Sequence, residues 1–337
     1  MNKLSILTML TQEFKPSNIE FIETVQSLWS GYGSITRYCI DDEPVIVKTI
    51  DINSQQIEHP RGWQTDFAHQ RKVSSYQNEC TFYNTLALFT NNNTRVPKCL
   101  FQYRDNDNVV LVLEDLNASG FNQRLESAHT LNIAKQVLQW LAYFHIRFLH
   151  LDSDNTSTQT ISLAQQWSRG TYWHLATRPD EYNNMPDSLL KDAAQSIDDI
   201  LEQAKFQTLL HGDAKIANFC FDKSHQRVAA VDFQYCGKGV GVIDVMYFLG
   251  SALSNAQLTQ YADELLEYYF SQIQQAFAKD TRQLNIAALI AEWRHLYCFA
   301  WADFERFLIG WSPGHKKLNA YSATQTALAI SQSQPKQ

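Results

Sequence analysis

Glycine is scarce in this chain, with 12 among 337 residues, about half of the average usage of roughly 7%. Six of the twelve fall in three places: Gly31 and Gly33, then Gly212, then Gly237, Gly239 and Gly241. A chain so sparing with glycine spends it where backbone geometry demands it. The six cysteines (Cys39, Cys80, Cys99, Cys220, Cys236 and Cys298) form no Cys-x-x-Cys pair, and no histidine cluster has zinc-ligand spacing. A disulfide framework and a zinc site are therefore not signalled, and reduced thiols are expected. No apolar run reaches the roughly 18 residues of a membrane span. The opening Met1–Leu10 stretch is too short, and too broken by Ser5 and Thr8, for a signal peptide. Basic charge is in deficit, 28 Lys and Arg against 35 Asp and Glu for a net charge of −7, so the field that nucleic acid or anionic lipid requires is missing. The sequence thus predicts a soluble cytoplasmic protein with no nucleic-acid, membrane or protein partner implied. Repeats are absent, and so is any Gly-x-x-x-x-Gly-Lys-[Ser/Thr] motif, which excludes a P-loop NTPase.

What is present is globular: 45% hydrophobic and 12% aromatic residues, at a length that suggests two lobes. Residues 18–29 read as a short helix or strand leading to a turn at Ser30-Gly-Tyr-Gly-Ser34. Ile35–Ile40 and Val45–Ile50 are β-rich runs around Asp41-Asp-Glu-Pro44, a hairpin signature. Residues 51–66 look irregular, and the spacing of Phe67, Val73, Tyr76, Cys80, Tyr83 and Leu86 predicts one amphipathic helix over 67–89. Strands follow at Val96–Tyr103 and Val109–Leu113. Beyond residue 115 the texture turns helical, at 129–149, 187–206, 257–278 and 284–309, interrupted by strands at Phe219–Asp222 and Arg227–Phe233. The plan is α+β, with a small β-rich lobe over 1–115, a larger helical lobe over 116–330, and a polar tail at 331–337 expected to be disordered.

The chemistry-bearing pattern is Leu209-Leu-His-Gly-Asp-Ala-Lys-Ile-Ala-Asn-Phe219, followed fourteen positions after Asn218 by Asp232 in Val231-Asp-Phe-Gln234. It resembles the catalytic Asp-x-x-x-x-Asn loop and the Asp-Phe-Gly segment of protein kinases, with His-Gly-Asp in place of His-Arg-Asp and Gln234 in place of the final glycine. With the glycines leading to Asp244, the set is similar to the aminoglycoside phosphotransferase and choline kinase group. Asp244-Val-Met-Tyr-Phe-Leu, Leu113-Glu-Asp-Leu116 and Asn78-Glu-Cys-Thr-Phe-Tyr83 bring it closest to the ecdysteroid kinase-like (CHK) branch. The resemblance spans roughly residues 28–255 and implies a two-lobed protein kinase-like fold using ATP and Mg²⁺.

Phosphoryl transfer asks the protein for positioning and charge neutralisation. Asp213 is expected to accept the proton of an attacking hydroxyl, and Asn218 and Asp232 offer the hard oxygens that suit Mg²⁺. Lys48, at the end of Val45-Ile-Val-Lys, corresponds to the phosphate-binding lysine of kinase-like folds, and Glu79, the one acid between Phe67 and Phe89, is its expected partner. The resemblance further implies that Gly31, Gly33 and Ser34 cover the phosphates and that Glu114 to Leu116 offer backbone to adenine. His211 and Asp244 would support the catalytic loop, and His145 would be structural. An acceptor pocket is expected in the helical lobe around Trp173, His174, Trp301, Asp303 and Arg306, for either a ring-bearing alcohol or a cation held by Asp303. The expected activity is a kinase acting on a hydroxyl of a small organic molecule. A nucleotide-binding pseudokinase and a metal-dependent phosphohydrolase using His211, Asp213, Asp232 and Asp244 are the alternatives. Only 11 residues separate Asp232 from Asp244, too few for a peptide-docking activation segment.

Overall fold

In the computed structural model, which describes residues 3–28, 31–52, 66–105, 107–149, 166–278 and 280–333, the period-2 alternation of the N-terminal runs builds one antiparallel sheet. Helix α1 (Lys3–Phe14) precedes β1 (Ile19–Ser27), β2 (Gly33–Ile40) and β3 (Glu43–Asp51); helix α2 (Asp66–Thr81) then leads to β4 (Cys99–Arg104) and β5 (Asn108–Glu114), in the order β1-β2-β3-β5-β4. Asp41 and Asp42 both take positive φ, 47° and 69°, the left-handed pair that a two-residue hairpin turn needs and that Asp tolerates.

The two sheet faces carry different cores. Tyr38, Val45, Val47, Val110 and Val112 pack with Ile6 and Leu10 of α1. Ile50, Val109, Leu111 and Leu113 point to the other side, toward Tyr76, Cys80 and Tyr83. Lys48 shares this second side by parity, so the same alternation that buries the valines aims its ammonium at α2. Helix α1 had no counterpart in the sequence reading.

The helix expected over 67–89 is composite. After α2 the backbone widens into a π-helical turn at Phe82–Leu86 and tightens into a 3₁₀ turn at Ala87–Phe89. The wide turn buries Phe82, Tyr83 and Leu86. Asn91 caps the next short turn, accepting from the Asn93 amide at 2.8 Å, and β4 starts at Cys99, three residues later than expected. The irregular segment expected over 51–66 lies, from 53 to 65, outside the described residues.

The second lobe runs β6 (Gln123–Arg124), α3 (Leu131–Arg147), α4 (Pro179–Asn184), α5 (Leu189–Glu202), β7 (Thr208–Leu210), β8 (Phe219–Phe221), β9 (Val228–Ala230), β10 (Gly237–Gly239), α6 (Val242–Ala252), α7 (Asn255–Phe277), α8 (Ile286–Trp311) and α9 (Ala320–Ser333). Strands β7 and β10 pair, and β8 lies between β6 and β9; these short ladders frame the loops that carry the motifs. Helices α6 and α9 were not anticipated, and α9 continues through Ser333, into the segment expected to be a polar tail. No helix among the described residues is long and apolar enough to cross a membrane.

Candidate functional site

Strand β7 delivers the chain to His211, and the loop 211–218 is fixed from behind. Gly212 sits at φ +78°, and a Cβ there would lie 1.9 Å from the Tyr235 carbonyl oxygen, so a side chain is excluded twice over. Asp244, on the first turn of α6 and wholly buried, accepts the amides of His211 at 2.6 Å and Gly212 at 3.0 Å. His145 approaches the same carboxylate at 3.2 Å and the Tyr269 hydroxyl at 2.8 Å. With its oxygens given to backbone amides, Asp244 is a brace for the loop.

His211 is a second brace. Its Nδ1 accepts the Asp213 amide at 3.3 Å and its Nε2 faces the Val231 carbonyl at 3.0 Å. An amide can only donate and a carbonyl only accept, so the ring is the neutral Nε2–H tautomer. Burial lowers its pKa in spite of the nearby carboxylates of Asp244, Asp213 and Asp232. The ring therefore ties the loop to the 231–234 segment.

Asp213, 5% exposed, accepts at Oδ2 from Lys215 Nζ at 2.9 Å and from Asn218 Nδ2 at 3.0 Å. Its Oδ1 is buried without a hydrogen-bond partner, an orphaned acceptor of the kind that calls for a ligand. Tyr247, whose hydroxyl meets that of Tyr172 at 2.9 Å, lies alongside, near enough to Asp213 to feel its carboxylate without closing a well-formed hydrogen bond to Oδ1; burial, then Tyr172 and Asp213, push its pKa well above 10.

On the facing lobe, Lys48 Nζ lies 2.6 Å from Glu79 Oε2 and 3.4 Å from Asp232 Oδ1. Burial alone would lower the Lys48 pKa, but Glu79 and Asp232 more than offset it, so the ammonium is held charged. Asp232 occupies left-handed backbone at φ +70°, a strain typical of functional positions. Burial works against its carboxylate, yet Lys48, Lys215, Lys72 and His211 together hold it down to about 2. Gln234, which replaces the kinase glycine, donates to Asp232 at 2.7 Å and accepts from Lys72 Nζ at 2.9 Å. Asn78 Nδ2 of α2 donates to the Gln234 and Cys236 carbonyls at 3.2 and 2.8 Å.

Among the described residues no group of three or more His, Cys, Asp or Glu could hold a metal by itself. Asp232, held anionic, and Asn218, whose Nδ2 is spent on Asp213 and whose Oδ1 remains, make a sparse hard-oxygen pair. That donor set fits Mg²⁺, which takes one or two protein oxygens and fills its shell with phosphate and water.

At the mouth of the sheet, a Cβ on Gly33 would stand 1.8 Å from the Thr49 carbonyl oxygen, while Gly31 donates to the Leu28 carbonyl at 3.1 Å. Ser34 Oγ faces Thr49 Oγ1 at 3.3 Å. The Glu114 side chain is committed to Arg95, Ser119 and the Lys98 amide, and the Leu116 carbonyl accepts the Phe121 amide at 2.8 Å. Around the expected acceptor pocket, Trp173, Trp301 and Arg306 are each 1% exposed. Trp173 packs on Tyr247 and Phe304, and Trp301 on Tyr297 and Tyr321, so these rings are core and not a cleft wall. Arg306 donates to Asp303 at 2.8 and 3.0 Å and to the Trp173 carbonyl at 2.6 Å, which leaves Asp303 paired and ill-suited to hold a ligand cation. His174, its pKa pushed down to about 2 by burial and four arginines, lines with Asp303, Arg169 and Lys238 a cavity of about 160 Å³.

Four residues that the sequence reading did not single out stand at this centre. Lys215 and Tyr247 lay within quoted motifs, two positions after Asp213 and three after Asp244. Lys72 sits one helical turn before Tyr76. Lys317 lies in the connection between α8 and α9, with its Nζ 4.1 Å from the Tyr247 ring centroid and 5.2 Å from that of Phe304; no sequence pattern marks it.

A family model described as the ecdysteroid kinase-like family matches residues 148–281. Among solved structures, a choline kinase from Cryptosporidium parvum Iowa II superposes with TM-score 0.57 at 11% identity, covering 98% of this chain and 95% of that one. A microcompartment-associated aminopropanol kinase gives 0.51 at 17% identity, with 98% and 95% covered. A putative aminoglycoside phosphotransferase from Ralstonia eutropha JMP134 gives 0.52 at 11%, with 98% and 96% covered. No curated protein matches the chain in sequence. The likenesses establish the two-lobed, protein kinase-like fold of the small-molecule kinases, and the resemblance read from the motifs is borne out.

Proposed function

We propose that this protein is an ATP- and Mg²⁺-dependent phosphotransferase that moves the γ-phosphate to a hydroxyl of a small organic molecule. Residues 1–115 then serve as the nucleotide lobe and 116–330 as the catalytic and acceptor lobe. The observation that carries the reading is the orphaned, buried Oδ1 of Asp213 beside Lys215, an ammonium on which both Asp213 and Asp232 act. Its solved neighbours include kinases named for choline and aminopropanol, which supports it.

In this reading the acceptor hydroxyl donates to Asp213 Oδ1 and gives up its proton there as its oxygen bonds to the γ-phosphorus. The bond from that phosphorus to the β,γ-bridging oxygen breaks, and ADP leaves with the electron pair. Lys215 and Asn218 hold the Asp213 carboxylate in one orientation. Lys48, fixed by Glu79, pairs with the α- and β-phosphates, and the backbone around Gly31 and Gly33 covers them. Mg²⁺ held by Asp232 and Asn218 supplies neutralisation of the phosphate charge.

The test is thermal unfolding with and without ATP and Mg²⁺. Ligand at about 100 times its dissociation constant adds roughly 2.7 kcal/mol to the folded state, and Asp232→Ala should abolish the metal-dependent part. ADP release with a panel of alcohols then reports transfer. No shift at millimolar ATP would reject the reading.

A further inference from the structure

The chemistry above leaves Lys317 without a task. Its ammonium lies over the Tyr247 and Phe304 rings, and Tyr247 borders Asp213. Among the described residues the one carboxylate acting on it is Asp213, and that carboxylate already accepts from Lys215 at 2.9 Å. Lys215 and Lys316 repel it, and burial, the largest influence, brings its pKa down to about 8. The side chain is half-buried; aromatic faces return part of what its partly desolvated ammonium loses, and among the described residues it has no counter-ion of its own to return the rest. Lys48 and Lys72, by contrast, rise from β3 and α2 on the opposite lobe and have Glu79, Asp232 and Gln234 as partners. In a chain of net charge −7, two lysines flanking one carboxylate on the acceptor side are not a general surface trend. An acceptor bearing an ammonium would bring a third positive charge to Lys215 and Lys317.

We infer that Lys317, together with Lys215, reads a negative group on the acceptor: the substrate is an alcohol that also carries a carboxylate or a phosphate, not an amino alcohol. The inference rests on the phosphotransferase reading, with Tyr247 as the floor beneath the charged group and Asp213 reserved for the hydroxyl.

A matched three-carbon set separates the charges: glycerate, glycerol 3-phosphate, glycerol and 3-amino-1,2-propanediol. Each is titrated calorimetrically into the full chain saturated with Mg²⁺ and a non-hydrolysable ATP analogue. Expected is binding of glycerate or glycerol 3-phosphate at least about tenfold tighter than of the other two, with the stronger of the two naming carboxylate or phosphate as the group read. Lys317→Met should erase that preference, Lys317→Arg should keep most of it, and the exposed Lys316→Met should leave it within about twofold. Affinity for the ATP analogue should stay the same in the Lys317 variants, and their unfolding midpoints report whether they fold. Equal or tighter binding of the amino alcohol, no binding of either anion at 10 mM (a concentration near the weak end of roughly millimolar affinities), or an anion preference that survives Lys317→Met would overturn the inference while leaving nucleotide binding intact. A Lys317→Met variant that instead weakens the ATP analogue would overturn it too, by assigning the lysine to the phosphates. Failure of the analogue itself to bind identifies the phosphotransferase reading as the part that fell.

Discussion

The buried carboxylate of Asp244 accepts the amide of His211 at 2.6 Å across 33 positions of sequence, so a helix sets the height at which the 211–218 loop leaves its strand. Replacing Asp244 with Ala strands two buried amides. Unfolding free energy should fall by on the order of 3 kcal/mol, measured by urea denaturation, and kcat should fall more than the nucleotide dissociation constant rises. A variant as stable and active as wild type would mean that the loop keeps its shape without the brace.

Lys48 and Glu79 form the best-defined ion pair between sheet and helix. Lys48→Met leaves a buried carboxylate uncompensated, and a loss of about 3 to 5 kcal/mol in stability is expected. The Lys48→Met, Glu79→Gln double variant should lose less than the sum of the two, with a coupling of about 1 to 3 kcal/mol in a double-mutant cycle. Strict additivity would show that the 2.6 Å contact carries no energy of its own.

Asp213→Asn keeps the shape of the side chain and removes its basicity. Transfer should slow by roughly 10² to 10⁴-fold, with nucleotide affinity nearly unchanged, because Asp213 belongs to the acceptor side. Single-turnover ADP release decides this, and near-normal turnover would take the proton-accepting role away from Asp213.

The pH dependence follows from Lys317, whose pKa is lowered from the usual lysine value to about 8. Its ammonium is charged below that pH and neutral above it. Binding of an anionic acceptor should therefore weaken as pH rises through about 8, while Lys317→Arg moves the loss out of the accessible range. The facing groups do not produce the same step. Lys215 is raised by Asp213, Lys316 is exposed, and the Tyr247 hydroxyl is held well above 10. A flat acceptor KM between pH 7 and 9, a window spanning the value of about 8, would contradict it.

The parts that sequence made legible are those where local pattern and chemistry coincide. Alternation in Val45–Ile50 placed Lys48 on one side of a strand, and Glu79, the one acid between Phe67 and Phe89, stood one turn from Tyr76 and Tyr83, so the pair could be anticipated. The Asp213-to-Asn218 and Asp232 spacings likewise encode a loop and a strand end. Helix α6 escaped notice because Val242-Ile-Asp-Val-Met-Tyr-Phe-Leu is buried on nearly every side, and a helix without a polar stripe shows no periodicity. Trp173 and Trp301 misled for the related reason that aromatic residues at helical spacing are core unless something opens beside them. Lys317 was invisible, since a loop side chain is placed by the packing of α8 and α9 and not by any repeat in its own neighbourhood.

Phe82 and Phe233 stack at 3.8 Å between centroids and 8° between planes. Phe82 opens the π-helical turn that follows the helix bearing Glu79, and Phe233 adjoins Asp232. The two rings act as a rivet between the lobes, three positions after Glu79 on one side and one after Asp232 on the other. Swinging the helix outward, which would part Lys48 from Glu79, must first shear that rivet. Outward movement of that helix would therefore unstack two rings worth about 0.5 to 1.5 kcal/mol beyond their burial, in addition to parting the 2.6 Å contact of Lys48 with Glu79.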